Sequence, residues 1–254
     1  GLVQVNVNPL YTPRELKHQL IDADAETIVI FTGSTPVLAE ILDDTPVKNI
    51  ITVALGDLGN ANLPSPPTDP RITNPTTFQT VLSEGATLPF TPVQLNQDDL
   101  IFLQYTGGTT GLSKGAMLTH GNLVANVLQY RNFAGSLVQE GNEIVITALP
   151  LYHIFALMVN FITYFLAGAK NVLITNPRDM PAFVEELKKH KFSVFTGVNT
   201  LFAGLLMTPG IEDCDFSNLR NAAGGGTAVQ KVISDRWKAL NEPQIPAGQA
   251  LYDT

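Results

Sequence analysis

The residues with the most chemistry to offer lie at positions 105–115, in the run Tyr-Thr-Gly-Gly-Thr-Thr-Gly-Leu-Ser-Lys-Gly. Gly107, Gly108 and Gly111 let the backbone take positive φ angles and approach a ligand closely. Thr106, Thr109 and Thr110 add hydroxyl donors, and Lys114 adds a compact positive charge. Successive backbone N–H groups in such a loop can converge on one anion. The apolar run Leu100-Ile101-Phe102-Leu103 in front of it reads as a buried strand. Strand, Gly/Thr loop and lysine together describe a grip for polyphosphate. The common nucleotide loop, G-x-x-x-x-G-K-[ST], is not matched, because Ser113 precedes Lys114 and Gly115 follows it. The pattern therefore argues against a Walker-type NTPase, and a plain glycine-rich turn is the competing reading.

Two further segments have the makings of a site. Residues 144–148 read as a strand, and Leu149-Pro150-Leu151-Tyr152-His153-Ile154-Phe155 follows. A histidine at a strand end, beside two aromatics and ahead of an apolar helix, suits a pocket that is mostly apolar with one polar tip. A satisfied core histidine is the alternative. Residues 219–223 read as a strand that runs into Gly224-Gly225-Gly226-Thr227. A glycine triplet at the C-terminal end of a parallel strand lies where open α/β sheets bind ligands. A tight turn before a helix at 228–240 is the simpler reading.

The elements that must position these segments alternate. Residues 3–7 alternate in polarity as a strand does. Thr12, Pro13 and Glu15 then form a capping box with proline at the first helical position, and Leu16, Leu20 and Ile21 form the expected buried stripe. Strands are expected at 27–31 and 47–54, with a helix opening at Thr35-Pro36 between them, which implies parallel pairing in an α/β layer. Residues 56–75 are proline-rich and read as a loop, followed by a short helix at 76–84 and a second loop to Asp98. A seam is expected there, dividing residues 1–97 from 98–254. Beyond the glycine-rich loop, Thr119 can cap a helix to about residue 133, with Leu123, Val127 and Tyr130 on one face. His120 falls in its first turn, where it reads as structural or solvent-facing. Residues 156–168 are apolar nearly all round and read as a buried helix. Residues 181–190 form an amphipathic helix with Phe183, Val184 and Leu187 inward and a basic end at Lys188, Lys189, His190 and Lys191 that needs no ligand. Strands at 172–174 and 192–196 and a helix from about 198 complete the alternation.

Composition narrows the function classes. The chain has 254 residues, 44% of them apolar and 15% charged, as in soluble globular proteins. A net charge of −8 without a basic cluster argues against a nucleic-acid surface. Any polyanion must then be held by local geometry. Cys214 is the only cysteine, which excludes an internal disulfide and reads as an inert thiol. The apolar run at 154–169 is short for a membrane span and is interrupted by Asn160, Thr163 and Tyr164. No leader segment is visible, and a start at Gly1 in strand-like sequence suggests a piece of a longer protein.

The run Thr106 to Gly115 resembles the phosphate-binding signature of the adenylate-forming superfamily, which includes acyl-CoA synthetases, aryl-CoA ligases, luciferases and peptide-synthetase adenylation domains. Gly107 stands where many members have serine. With Tyr105 and the following Lys114-Gly115-Ala116-Met117-Leu118-Thr119-His120, the likeness is nearest to bacterial long-chain fatty acyl-CoA synthetases and runs from about residue 2 to 237. The resemblance implies layered, mostly parallel α/β architecture, part of the large domain of these enzymes, with the mobile C-terminal lid domain absent from this chain. It implies ATP, Mg²⁺ and coenzyme A as cofactor and co-substrates and a fatty acid as the acid activated. It assigns the phosphates to Thr106, Gly107, Gly108, Thr109, Thr110, Gly111 and Lys114, and adenine and acyl-adenylate contacts to Gly224, Gly225 and Gly226. His153 takes a gating and orienting role beside the acyl and adenylate groups, with Phe155 as its neighbour on the acyl wall. Residues 248–253 depart from the family pattern G-Y-G-x-T-E: Gln249 replaces the aromatic, Tyr252 the threonine, and Asp253 the metal-binding glutamate. Asp253 is the candidate Mg²⁺ ligand. The resemblance further implies a cytoplasmic location, with peripheral association at the inner membrane face. An aryl-acid ligase, a peptide-synthetase module and a non-catalytic nucleotide-binding piece are the alternatives.

Overall fold

A computed structural model describes residues 1–59, 61, 63–107, 112–245 and, as backbone alone, 252–253. The chain divides into two compact units, Gly1–Gly121 and Asn122–Thr254. The first contains β1 (Gln4–Val5), α1 (Pro13–Asp22), β2 (Thr27–Phe31), α2 (Thr35–Ala39), β3 (Asn49–Val53), β4 (Thr76–Thr77), α3 (Phe78–Gly85), β5 (Leu100–Thr106) and β6 (Lys114–Thr119). One sheet has the order β2-β3-β4 with parallel pairs. The other has the order β1-β5-β6, in which β5 is parallel to β1 and antiparallel to β6.

The capping box starts α1 as expected. The Thr12 hydroxyl accepts the Glu15 N–H at 3.4 Å and the Glu15 carboxylate accepts the Thr12 N–H at 2.8 Å. The Thr12 hydroxyl also donates to the Glu15 carboxylate at 2.7 Å, and that bond, followed by the one from the Thr12 N–H, holds the Glu15 carboxyl below its usual range. Leu16 and Leu20 then join Ile28, Ile30, Leu38, Ile41 and Ile72 in one apolar cluster. The third member of the expected stripe is a correction: Ile21 is half exposed, and Gln19 is buried in its place. The Gln19 amide donates to the Asn6 carbonyl at 2.8 Å, so a hydrogen bond rather than apolarity brings it inside.

The second unit receives the body of α4 (His120–Ala134) and contains β7 (Ile144–Thr147), a π-helical segment (Ala156–Thr163), α5 (Tyr164–Leu166), β8 (Lys170–Leu173), α6 (Met180–Leu187), β9 (Val194–Gly197), α7 (Asn199–Leu206), β10 (Asn221–Gly224), α8 (Lys231–Asn241) and β11 (Tyr252–Asp253). Its five strands are ordered β11-β10-β9-β7-β8 and every pair is parallel. Parallel sheets are buried on both faces, and all four residues of β9 are buried accordingly. The core is aromatic: Phe195 lies 5.2 Å and Phe202 5.0 Å from Trp237, centroid to centroid. Buried Glu143 pairs with Arg220 at 2.7 Å and also accepts from the Ser193 hydroxyl and the Gln139 N–H, so the charge pair is hydrogen-bonded on several sides. The basic end after α6 is matched by acids, with Lys188 on Glu185 and Asp213, Lys189 on Glu186, and Lys191 on Asp215.

The apolar helix expected at 156–168 needs correction. Its first eight residues are π-helical and only Tyr164–Leu166 are α-helical. The widened turns coincide with Asn160, which is fully buried. Its amide donates to the Ile146 carbonyl at 3.3 Å and the Thr147 hydroxyl at 3.1 Å, and its oxygen accepts from the Thr196 hydroxyl at 2.8 Å. Phe161, Phe165 and Leu166 stay exposed, so the segment is one-sided rather than buried all round.

Candidate active site

In the first unit the two strands that flank the glycine-rich segment, β5 and β6, pair as the arms of an antiparallel hairpin. Thr106 faces Lys114 and Tyr105 faces Gly115 across the β5–β6 ladder. Lys114 is thus the first residue of the outgoing strand, where the sequence reading placed no strand. Thr106, Gly107 and Lys114 are exposed, and Lys114 has no ion pair among the described residues. A side chain built on Gly107 would meet no atom of the described residues within 4 Å. Gly108, Thr109, Thr110 and Gly111 lie outside the described residues.

Both arms of this hairpin are tied to α1. The buried Tyr105 hydroxyl donates to the Asp22 carboxylate at 2.6 Å. Burial, and then the bond to Asp22, push the Tyr105 pKa up, so it stays a neutral donor. Its ring also explains Gly115, since a Cβ there would stand 3.0 Å from the ring carbons. On the other arm, His18 Nε2 lies 2.9 Å from the Ser113 carbonyl oxygen. Between α1 and the hairpin is a cleft of about 450 Å³ whose lining includes Tyr11, Arg14, His18, Gly107, Leu112 and Ser113. Sequence reasoning identified the loop but missed Asp22 and His18. Their only signal was a spacing of four residues, one helical turn, and nothing in the sequence links that turn to residues more than eighty positions later.

In the second unit two of the expected segments meet. A Cβ on Gly225 would stand 2.9 Å from the tip of the Phe155 ring, so glycine at 225 is what lets that ring lie on the backbone. A Cβ on Gly224 would stand 2.2 Å from Val229, and Gly226 has φ +78°, a conformation that favours glycine. The triplet begins with Gly224, the last residue of β10, and the Gly225 N–H donates to the Gly197 carbonyl at 3.1 Å, so it sits beside the C-terminal end of β9. His153 is exposed, and its Nδ1 accepts the Phe155 N–H at 3.2 Å. That bond needs a lone pair on Nδ1, so the neutral ring in this arrangement carries its proton on Nε2. His153 is therefore not the satisfied core histidine that was the alternative.

For a metal, the described residues contain no group of three or more His, Cys, Asp or Glu side chains placed to hold one. Mg²⁺ typically takes one or two carboxylates and completes its shell with water and phosphate oxygens, so a protein cage is not required. The backbone of Asp253 pairs with Ala222, two residues before Gly224, and its side chain is outside the description. Cys214 is buried, and burial pushes its thiol up to about 11, as expected for an inert cysteine.

Comparison with known proteins adds the lineage. A long-chain-fatty-acid–CoA ligase of Escherichia coli O6:H1 is 44% identical over 264 aligned residues, covering 100% of this chain and 47% of that protein. The enzyme of the same name from Bacillus subtilis is 29% identical with the same coverage. The chain thus spans about half the length of the curated relatives it matches. Among solved structures, the anthranilate CoA ligase AuaEII in complex with anthranoyl-AMP superimposes with TM-score 0.80 at 19% identity, over 96% of this chain and 44% of that one. A long-chain-fatty-acid-CoA ligase from Archaeoglobus fulgidus gives TM-score 0.73 at 22% identity, over 98% and 46%. These two show that the chain shares the fold of the matched part of those two CoA ligases. The family model described as "AMP-binding enzyme" matches residues 1–250, and the chain belongs to that family.

Proposed function

We propose that the full-length parent of this chain is an AMP-forming ligase that activates a long-chain fatty acid with ATP and passes the acyl group to coenzyme A. The observation that carries the reading is Lys114, exposed and without an ion pair among the described residues, set opposite Thr106 at the mouth of the Gly/Thr hairpin. The choice of acid rests on the 44% identity to a fatty-acid ligase over the whole chain. In the first step a carboxylate oxygen attacks the α-phosphorus of ATP and the bond to pyrophosphate breaks. In the second the thiol of CoA attacks the acyl carbon and AMP leaves. Carboxylic acids have a pKa of about 4, so the acid arrives ionised and no base is needed. His153, with Nδ1 engaged by the Phe155 N–H, suits orientation of substrate through Nε2 rather than proton abstraction.

The loop 106–111 and Lys114 would hold the phosphates and stabilise charge as pyrophosphate leaves, a task of position and electrostatics. Gly224, Gly225 and Gly226 would lie against adenine and the acyl-adenylate, with Phe155 as apolar wall. Asp253 is the residue proposed for Mg²⁺, which when bound neutralises phosphate charge. The reading places the activity in the cytoplasm, where ATP and CoA are available, with peripheral docking at the inner membrane face to collect the acid. No helix among the described residues is long and apolar enough to cross a membrane.

The test is fatty-acid-dependent ATP–pyrophosphate exchange by the full-length parent, with a panel of fatty, aromatic and amino acids. Exchange is expected with fatty acids, and Lys114→Ala is expected to lower it on the order of 100-fold. Exchange driven only by an aromatic or amino acid would overturn the substrate assignment. Exchange indifferent to Lys114→Ala would overturn the phosphate grip.

A further inference from the structure

We infer that His18 is a positioning residue for the glycine-rich loop, and that α1 is a two-point brace across the arms of that loop; the functional consequence rests on the loop's proposed role as the phosphate grip. On the incoming arm Tyr105 donates to Asp22 at 2.6 Å, and on the outgoing arm His18 Nε2 meets the Ser113 carbonyl at 2.9 Å. His18 and Asp22 are four residues apart in α1 and so share a face. Four residues of helix rise about 6 Å. Paired antiparallel strands stand about 4.5–5.5 Å apart. One turn of α1 therefore spans the two arms where Tyr105 and Gly115 are paired, with one side chain reaching each.

The bond to Ser113 has a defined polarity. A carbonyl oxygen only accepts, so His18 Nε2 carries the proton and donates. The Ser113 carbonyl and the Lys114 N–H belong to one planar trans peptide and point in opposite directions. Holding the carbonyl toward α1 fixes the plane from which Lys114 departs. Glycine-rich backbone loses much freedom when it closes on a ligand, and a peptide already restrained loses less. The brace is itself well seated. Leu16 and Leu20 are buried, the Gln19 amide donates to the Asn6 carbonyl at 2.8 Å, and the Asn6 side chain donates to Gln104 of β5 at 2.9 Å. None of these contacts needs the ligand, so they can set the arms before it arrives.

The experiment compares His18→Phe, which keeps a ring without the donor, with His18→Gln, whose amide can donate at similar reach, in the full-length parent. His18→Phe is expected to raise KM for ATP in the exchange reaction about five-fold, the factor expected from loss of one ordinary hydrogen bond. KM for the fatty acid and the thermal midpoint are expected to stay near wild type, and His18→Gln to fall within about two-fold of wild type on every measure. Equal losses in both variants would show that ring packing matters instead and overturn the inference, as would an unchanged KM for ATP in His18→Phe. If His18→Phe does not fold, Tyr105→Phe is read the same way from the other arm, with a rise in KM for ATP supporting the brace and no change overturning it. Amide hydrogen exchange at residues 112–115 separates the two claims. Faster exchange in His18→Phe but not in His18→Gln supports the brace even where no ATP–pyrophosphate exchange is seen, and unchanged amide exchange refutes the brace while leaving the Lys114 result to decide the ligase reading.

Discussion

Gly225 carries a phenyl ring where a side chain would otherwise stand. With a Cβ only 2.9 Å from the Phe155 ring, alanine at 225 must displace that ring or the turn. Overpacking of this kind costs about 1–3 kcal/mol. Gly225→Ala is therefore expected to lower kcat/KM for the fatty acid about ten-fold, and Phe155→Leu, which vacates the space, to restore part of that loss in the double variant. A double-mutant cycle on acyl-CoA formation measures the coupling, and strictly additive losses would contradict the contact. The contact shows what was legible at this scale. Phe155 and the glycine triplet each stood out by residue type, but their adjacency depends on which strands neighbour one another, and β7 and β10 are linked only through β9. The same limit hid His18 and Asp22, whose roles come from a hairpin far along the chain.

At the scale of elements, local signals were read well and long-range ones poorly. The capping box of α1 and the inward face of α6 involve residues within one or two turns, where side-chain chemistry and period decide the outcome. Strand β6 was missed because Lys-Gly-Ala-Met-Leu-Thr lacks strict alternation and has only one β-branched residue, Thr119, and its strand character comes from pairing with β5. The π-helical segment was missed because hydrophobic content says nothing about a buried amide wedged among neighbouring strands. Asn160 bonds to Ile146, Thr147 and Thr196, which belong to β7 and β9. Replacing it with leucine leaves the Ile146 carbonyl and both hydroxyls without this partner. Asn160→Leu is expected to cost about 2–4 kcal/mol in urea unfolding of the chain. A loss below about 0.5 kcal/mol would show that these bonds contribute little.

For the whole molecule, the proposed function asks an acidic chain to hold a polyanion. A net charge of −8 gives no long-range attraction for ATP, so under the proposed function affinity would come from local donors: backbone amides, threonine hydroxyls and Lys114. The hairpin lies within Gly1–Gly121, and the glycine triplet, His153 and Phe155 lie within Asn122–Thr254. Alternating polarity, proline and glycine punctuation and the signature at 105–115 made the α/β class and the family legible. The order β11-β10-β9-β7-β8 was not, since parallel strands of similar composition carry no label for their neighbours. The most direct measurement is a crystal structure of the full-length parent with a non-hydrolysable ATP analogue. The expected result is triphosphate density against residues 106–114 with the Lys114 ammonium on a phosphate oxygen. Triphosphate bound anywhere else on the protein would contradict the central claim.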